Sequence, residues 1–230
     1  AGEAQPRQFV HLKASEGIEP LMRRPLSICR VDRGRGVIQL WYQAVGRGTS
    51  YLSQLASGDS LDLIGPLGRG FDVEITGKKT ALVGGGMGIA PLIFLAGVLR
   101  EHNDVTAFFG GKKAAQMPPD ILLPAVLYHS ATEDGSLGYR GLVTALLPEW
   151  IEHEKPDRIY ACGPKGMLRE MVAIAGAYRL PLQVSLETVM ACGGGACLGC
   201  ACAKSATGED DWLKACQDGP VFWSQEVKWS

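Results

Sequence analysis

The sequence predicts a multi-domain chain: a small antiparallel β-barrel, then an α/β unit with a parallel sheet, then a short cysteine-rich module. Three observations carry this reading. Short β-rich segments with turn-like neighbours run from Gln8 to Ile75. From Thr80 onward, apolar strand-like segments alternate with helical ones, which is the pattern of a parallel sheet. Five of the seven cysteines lie between Cys192 and Cys216.

In the β part, the expected strands are Phe9–Leu12, Leu26–Val31, Val37–Gln43 and Ser60–Ile64. Gly34 and Gly36 separate two of them as a hairpin would, and a short helix is expected within Thr49–Ser57. In the α/β part, Thr80–Val83 reads as a buried strand and Ala90–Arg100 as a helix with Pro91 in its first turn. Further strands are expected at Val105–Phe109, Ala125–Tyr128 and Arg158–Ala161. Further helices are expected at Gly141–Leu147 and Pro164–Ala177. Leu182–Leu186 leads into the cysteine module, and no internal repeat interrupts the order.

Composition narrows the function. At about 150 residues per domain, 230 residues allow more than one domain with a buried core. A net charge of −1 gives no footprint for nucleic acid, and no basic block suggests a membrane surface. With 46% hydrophobic and 20% charged residues, wholesale disorder is excluded. Thr80–Leu99 carries no charge and is long enough to span a bilayer, so a membrane helix is an alternative there. Its glycines and Pro91 favour a strand, a glycine turn and a helix. The N-terminal residues lack the charged-then-apolar pattern of a signal peptide, and with the thiol-rich site this gives a cytoplasmic expectation.

The cysteines carry the most specific signal. Cys192, Cys197 and Cys200 follow C-x4-C-x2-C spacing, with Cys216 further on. This is the spacing of plant-type [2Fe–2S] sites. Four thiolates must converge on two irons, and Gly193, Gly194, Gly195 and Gly199 allow the tight loop this needs. A structural zinc site and free reactive thiols are the alternatives. Zinc sites usually show two short knuckles, whereas the first gap here is wider and no histidine lies nearby. Cys202 is surplus and is expected to pack as a small residue; Cys29 is expected in the core.

Gly84-Gly-Gly-Met-Gly-Ile-Ala-Pro91 follows a predicted strand and opens a helix, where a pyrophosphate can meet free N–H groups. Ile89 replaces the last glycine of the usual dinucleotide fingerprint, so a purely structural turn is the alternative. Cys162-Gly163-Pro164 is a second such turn, and two of them in one sheet build one crevice. Arg24 and Ser27 could serve phosphate and ring-edge hydrogen bonding, against the default of a surface arginine. Gly46-Arg-Gly-Thr49 is another possible phosphate cradle. The four histidines are scattered and read as structural or solvated.

Arg24-Pro-Leu-Ser-Ile, the Gly84–Pro91 turn, Cys162-Gly-Pro, and the cysteine motif with Asp218-Gly-Pro-Val-Phe222 occur in this order. Together they resemble the electron-transfer subunits of NAD-dependent (class 1B) dihydroorotate dehydrogenase, within the ferredoxin–NADP reductase superfamily, over essentially the whole chain. The resemblance implies a flavin-binding antiparallel β-barrel (1–77), an α/β parallel-sheet nicotinamide domain (78–183) and a small [2Fe–2S] module (184–230). It implies FAD contacts at Arg24, Pro25, Leu26 and Ser27, at Trp41, Tyr42 and Gln43, and at Gly48 and Thr49. NAD is expected at Gly84, Gly85, Gly86, Gly88 and Pro91, at Thr132 and Asp134, and at Cys162, Gly163 and Pro164. The segment Thr132-Glu-Asp-Gly-Ser136 holds no Arg or Lys, which favours NAD over NADP. The cluster ligands would be Cys192, Cys197, Cys200 and Cys216.

The implied activity is electron relay in pyrimidine biosynthesis, from the FMN of a catalytic dihydroorotate dehydrogenase subunit through [2Fe–2S] and FAD to NAD⁺, within a heterotetramer. The chemistry would be borne by cofactors, with no catalytic side chain. A reductase subunit of a hydrogenase or of a ferredoxin-dependent NAD(P)H oxidoreductase is the alternative. Two departures from the family pattern stand out. Only five residues precede Pro6, where a further strand is usual, so the barrel's first strand is expected to be missing. Arg7 stands where the family usually has glycine.

Overall fold

The computed structural model describes residues 1–14, 17, 19–122, 125–205 and 212–229. Phe9–Leu12 (β1) is buried at every position because it is clasped on both sides. It pairs antiparallel with Arg24–Asp32 (β2), from Phe9↔Ser27 to Leu12↔Arg24, and with Leu63–Leu67 (β4). Val37–Leu40 (β3) pairs on the far side of β2. Where a barrel is expected, the structure holds a four-stranded antiparallel sheet in the order β3-β2-β1-β4, with β3 and β4 at its edges. A short helix, Arg47–Leu52 (α1), follows β3.

The second sheet contains Lys79–Gly85 (β5), Asp104–Gly111 (β6), Leu127–Thr132 (β7), Tyr139–Arg140 (β8), Arg158–Cys162 (β9), Leu182–Ser185 (β10) and Val221–Trp223 (β13). Its order is β13-β10-β9-β5-β6-β7-β8. β5 has β6 on one side and β9 on the other, so the strand order reverses there. A crevice at the strands' carboxyl ends is where such sheets bind ligands. Ile89–Leu99 (α2) is apolar nearly all round, as a helix buried on two sides must be. Ile89, Leu92 and Leu95 pack with Leu82 and Ala107 of the second sheet, and Phe94 packs with Val10, Leu12 and Ile28 of the first. The opposite face of the second sheet is covered by two helices, Leu147–Glu154 (α3) and Lys165–Tyr178 (α4).

The cysteine segment leaves the sheet after β10 and returns as β13, which pairs antiparallel with β10. Strands β5 to β10 pair in parallel, as expected of the α/β unit, and β13 from the cysteine segment adds an antiparallel edge, so the whole sheet is mixed. A segment that returns directly beside the strand it left needs no crossover helix. Within it, Ala201–Ala203 (β11) and Trp212–Lys214 (β12) form a two-stranded sheet. Phe9 packs in one core with Cys200, Cys216 and Phe222, so the first sheet, the second and the cysteine segment share an interior.

Other expectations shift locally. The strand expected at Ser60–Ile64 is displaced to Leu63–Leu67 and contains Pro66, which is tolerated because β4 is an edge. The strand expected through Gln43 stops at Leu40. The helix expected at Gly141–Leu147 becomes a 3₁₀ turn, Val143–Leu146, running into α3 with Pro148 in its first turn. No described helix is long and apolar enough to cross a membrane, and the uncharged Thr80–Leu99 stretch resolves into β5, a 3₁₀ turn and α2.

Phe9→Ala should destabilise the fold by about 3–5 kcal/mol, the usual cost of emptying an aromatic site in a packed core. Denaturant unfolding of the two proteins under identical conditions measures it.

Candidate functional site

A cavity of about 1030 Å³ opens at the carboxyl ends of β5, β6 and β9. That is at the upper end of small-molecule clefts, about 300–1,000 Å³, so it has room for a large cofactor. Trp41, Tyr42 and Gln43 form one wall, and Gly85, Gly86 and Pro164 form the other. The residues after Leu40 leave the β3 ladder and turn into this cleft. The two glycine turns are packed against each other: a Cβ on Gly88 would lie 2.3 Å from the Cys162 carbonyl oxygen. Only glycine lets the start of α2 approach the end of β9 so closely.

The remaining expected residues divide by location. Gly84, Gly88, Pro91 and Cys162 are buried and do not border the cavity; they shape its floor. Gly163 makes the turn into Pro164, with a positive φ of 157°. Arg24, Pro25, Leu26 and Ser27 lie half-buried along β2. The Arg24 guanidinium donates to the Met22 and Arg23 carbonyls and lies against Gly48. The Thr49 hydroxyl donates to the Gly46 carbonyl and accepts from the Val45 and Gly46 N–H groups at 3.0 and 3.2 Å, so it caps its own helix.

In the Thr132–Ser136 segment, the structure selects a different residue. The Thr132 hydroxyl is engaged with both the N–H and carbonyl of Leu137, each at 2.9 Å. Asp134 accepts from the Ser136 N–H and hydroxyl, which holds its carboxyl below the usual range. Glu133, between them, lines the cavity. Lys112 also lines it, from the end of β6, and its carbonyl accepts from the Asp134 N–H. A lysine therefore reaches the region that is free of basic residues in sequence. Gly110 and Gly111 border the cavity as well. Their signal was a third strand ending on glycines, Phe108-Phe109-Gly110-Gly111.

The four motif cysteines sit as two pairs. Cys200 and Cys216 are buried, with their sulfurs 3.2 Å apart. Cys192 and Cys197 are exposed, with the Cys197 thiol acting on Cys192. Backbone N–H groups aim at the sulfurs: Gly195 at Cys216 (3.1 Å), Gly199 at Cys197 (3.4 Å) and Cys216 at Cys200 (3.4 Å). The N–H groups of Cys197 and Gly194, with the Cys197 thiol, bring Cys192 down to about 6. Burial, chiefly, raises Cys216 to about 11. Among the described residues, no three His, Cys, Asp or Glu side chains converge as a single ion would require. Two sulfur pairs with inward N–H groups are a donor set suited to a dinuclear iron–sulfur centre. Cys202 stands apart, its thiol facing the Leu213 carbonyl at 3.5 Å and raised by burial to about 11. Cys29 is fully buried, as expected.

The cysteine loop rests on β1. Gly193 has φ +71°, and a Cβ there would fall 2.7 Å from Nδ1 of His11. His11 is fully buried, and among the described residues neither ring nitrogen makes a hydrogen bond. Burial keeps it neutral by lowering its pKa, outweighing the nearby backbone of Met190 and Cys192. Since Pro25 lies opposite His11 in the ladder, β1 touches the cysteine loop while pairing with the strand that carries Ser27.

Comparison with known proteins agrees with this arrangement. Residues 187–228 match the iron–sulfur cluster binding domain of dihydroorotate dehydrogenase B. The dihydroorotate dehydrogenase B (NAD(+)) electron transfer subunit of Desulforamulus reducens is 40% identical, over 98% of this chain and 87% of its own length. This chain belongs to that family. Another electron transfer subunit, from Listeria monocytogenes, is 42% identical over 97% of this chain and 87% of its own. Like these family members, the NADH-dependent reduced ferredoxin–NADP oxidoreductase, solved in a study of flavin-based electron bifurcation, is related in sequence. It is 32% identical with a TM-score of 0.84, covering 99% of this chain and 80% of that one. The ferredoxin reductase of carbazole 1,9a-dioxygenase, 22% identical with a TM-score of 0.66 over 80% of this chain and 60% of its own, shares the fold.

Two outcomes test the loop. In the metal-free chain, alkylation of Cys192 should rise through a midpoint near pH 6, because its lowered pKa leaves thiolate above that pH. Cys202, raised to about 11, should stay unlabelled at neutral pH. Peptide mapping after iodoacetamide treatment across a pH series reads both. Gly193→Val should abolish assembly of the metal centre while leaving the second sheet folded, as iron analysis and circular dichroism would show.

Proposed function

We propose that this chain is the electron-transfer subunit of an NAD-dependent dihydroorotate dehydrogenase, acting beside an FMN-containing catalytic subunit in pyrimidine biosynthesis. The observation that carries the reading is the placement of three sites. The flavin-type wall and the nicotinamide-type glycine turns share one cleft, and the cysteine loop packs on β1, which pairs with the flavin-type strand β2. When bound, the [2Fe–2S] centre and FAD convert one-electron transfer from the reduced partner into two-electron reduction of NAD⁺.

The protein's part is to hold and orient. Cys192, Cys197, Cys200 and Cys216 hold the irons, and the N–H groups of Gly195, Gly199 and Cys216 stabilise electron-rich sulfur. Trp41, Tyr42 and Gln43, with the Arg24–Ser27 strand and Gly48–Thr49, flank the flavin. Gly85, Gly86 and Pro164 receive the nicotinamide nucleotide. Glu133 takes the ribose role expected of Asp134, and its charge opposes a 2′-phosphate, partly offset by Lys112. We assign the β1–β4 sheet, within 1–77, as the flavin barrel, 78–183 as the nicotinamide domain and 184–230 as the cluster module.

Anaerobic purification should give a coloured protein containing flavin and equal amounts of iron and acid-labile sulfide, two of each per chain, reducible by NADH. A colourless zinc protein without flavin, even after reconstitution, would overturn the reading. Cys216→Ser should lose the iron–sulfur absorbance and keep the flavin bands. Glu133→Gln should lower the NADH-to-NADPH preference in kcat/KM by on the order of tenfold, about 1.4 kcal/mol, measured by steady-state diaphorase kinetics.

A further inference from the structure

Arg7 occupies a position that elementary chemistry disfavours twice. Its φ is +80°, a backbone conformation that L side chains avoid. Its side chain is buried, with only 6% of the residue exposed. Among the described residues, no carboxylate lies within ion-pair distance of its guanidinium. The Glu187 carboxylate offsets its charge from beyond that distance, and the Cys162 thiol lies beside it. A buried cation hydrogen-bonded only to neutral groups, on a strained backbone, persists only where surrounding contacts over-determine it, and such outliers cluster at functional sites.

Those contacts join the sites. Arg7 Nη1 donates to the Ser27 hydroxyl oxygen at 2.6 Å, Nε donates to the Ser185 hydroxyl oxygen, and Nη2 donates to the Leu186 carbonyl at 3.4 Å. Ser185 in turn lies against the Cys162 thiol. One planar fork thus ties the flavin strand β2 to the end of β10, beside the nicotinamide turn and at the start of the cysteine segment. A serine has one proton to give. With an arginine N–H filling an acceptor position of Ser27, its own proton is left for a neighbouring acceptor. Among the described residues, no protein group takes it.

We infer that Arg7 is a positioning residue for the flavin: it turns Ser27 into an outward hydrogen-bond donor to the flavin ring edge and biases the bound flavin toward its electron-rich, reduced state. The inference rests on the FAD assignment above. A fixed positive charge near the ring favours added electron density, and a donor aimed at the ring edge favours it further. Neither effect needs Arg7 to touch the cofactor.

The test is the FAD midpoint potential of the full, FAD-loaded chain, measured by spectroelectrochemistry. Arg7→Gly suits it because glycine accepts φ +80° without strain, so the turn is kept while the fork is removed. The expected result is a shift of at least about tenfold toward oxidised flavin in the two-electron equilibrium, or about 30 mV more negative. Arg7→Lys keeps the charge but cannot bridge both serines, and should fall between the two. In a Ser27→Ala background the Arg7→Gly shift should shrink, since part of the effect runs through that hydroxyl. Wild-type potentials in both the Gly and Lys variants, or full additivity with Ser27→Ala, would overturn the inference. Should Arg7→Gly fail to fold, a wild-type potential in Arg7→Lys alone overturns it. A wild-type chain that binds no FAD overturns the flavin assignment, and the inference falls with it.

Discussion

The pairing of β10 with β13 is the constraint on which the rest of the molecule depends. The cysteine segment departs from one strand of the second sheet and returns as that strand's antiparallel neighbour. Its two ends are held together by the Leu186 N–H bond to the Pro220 carbonyl at 3.0 Å. The entropy of closing the loop is thereby met by sheet formation rather than by metal binding. The same return brings Gly219 and Pro220 against Arg69, just beyond β4, so the first sheet is tied in as well.

That constraint explains why β1 is so deeply buried. The strand is central in its own sheet, yet Phe9 also enters the interior shared with Cys200, Cys216 and Phe222. His11, two residues on, sits beneath Gly193, and among the described residues its ring nitrogens make no hydrogen bond. Around the inner sulfurs the protein thus offers apolar packing and backbone N–H groups, with little side-chain polarity. Such a setting lets the N–H groups act at high strength, because competing water is excluded. On the other side of the molecule, α2 does comparable work by serving two sheets with one apolar surface.

Much of this was legible in the sequence, and the reasons differ by element. The cysteine motif is legible because bridging two irons from one short loop permits few spacings. The Gly84–Pro91 turn is legible because strand, glycines and helix follow in order. Register and facing are harder to read. The position of β4 depends on its being an edge that tolerates Pro66. Whether Glu133 or Asp134 faces the cleft is decided by a local turn in which Ser136 captures Asp134. Lys112 arrives from the neighbouring strand end, so its presence near that segment is a tertiary fact. Arg7 shows the limit most clearly: in sequence it is one departure from a glycine, and in the fold it reaches a residue 178 positions away.

The four sulfurs differ in their exposure to solvent, with Cys192 and Cys197 at the surface and Cys200 and Cys216 enclosed. This difference gives the metal centre a weathering side. Oxygen, peroxide and chelators in solution meet the outer pair first, and in the metal-free chain the lowered pKa of Cys192 makes its sulfur readier to oxidise than that of Cys216. Damage is therefore directional: the centre erodes from outside inward, and the enclosed pair, backed by the sheet, is the last part to let go.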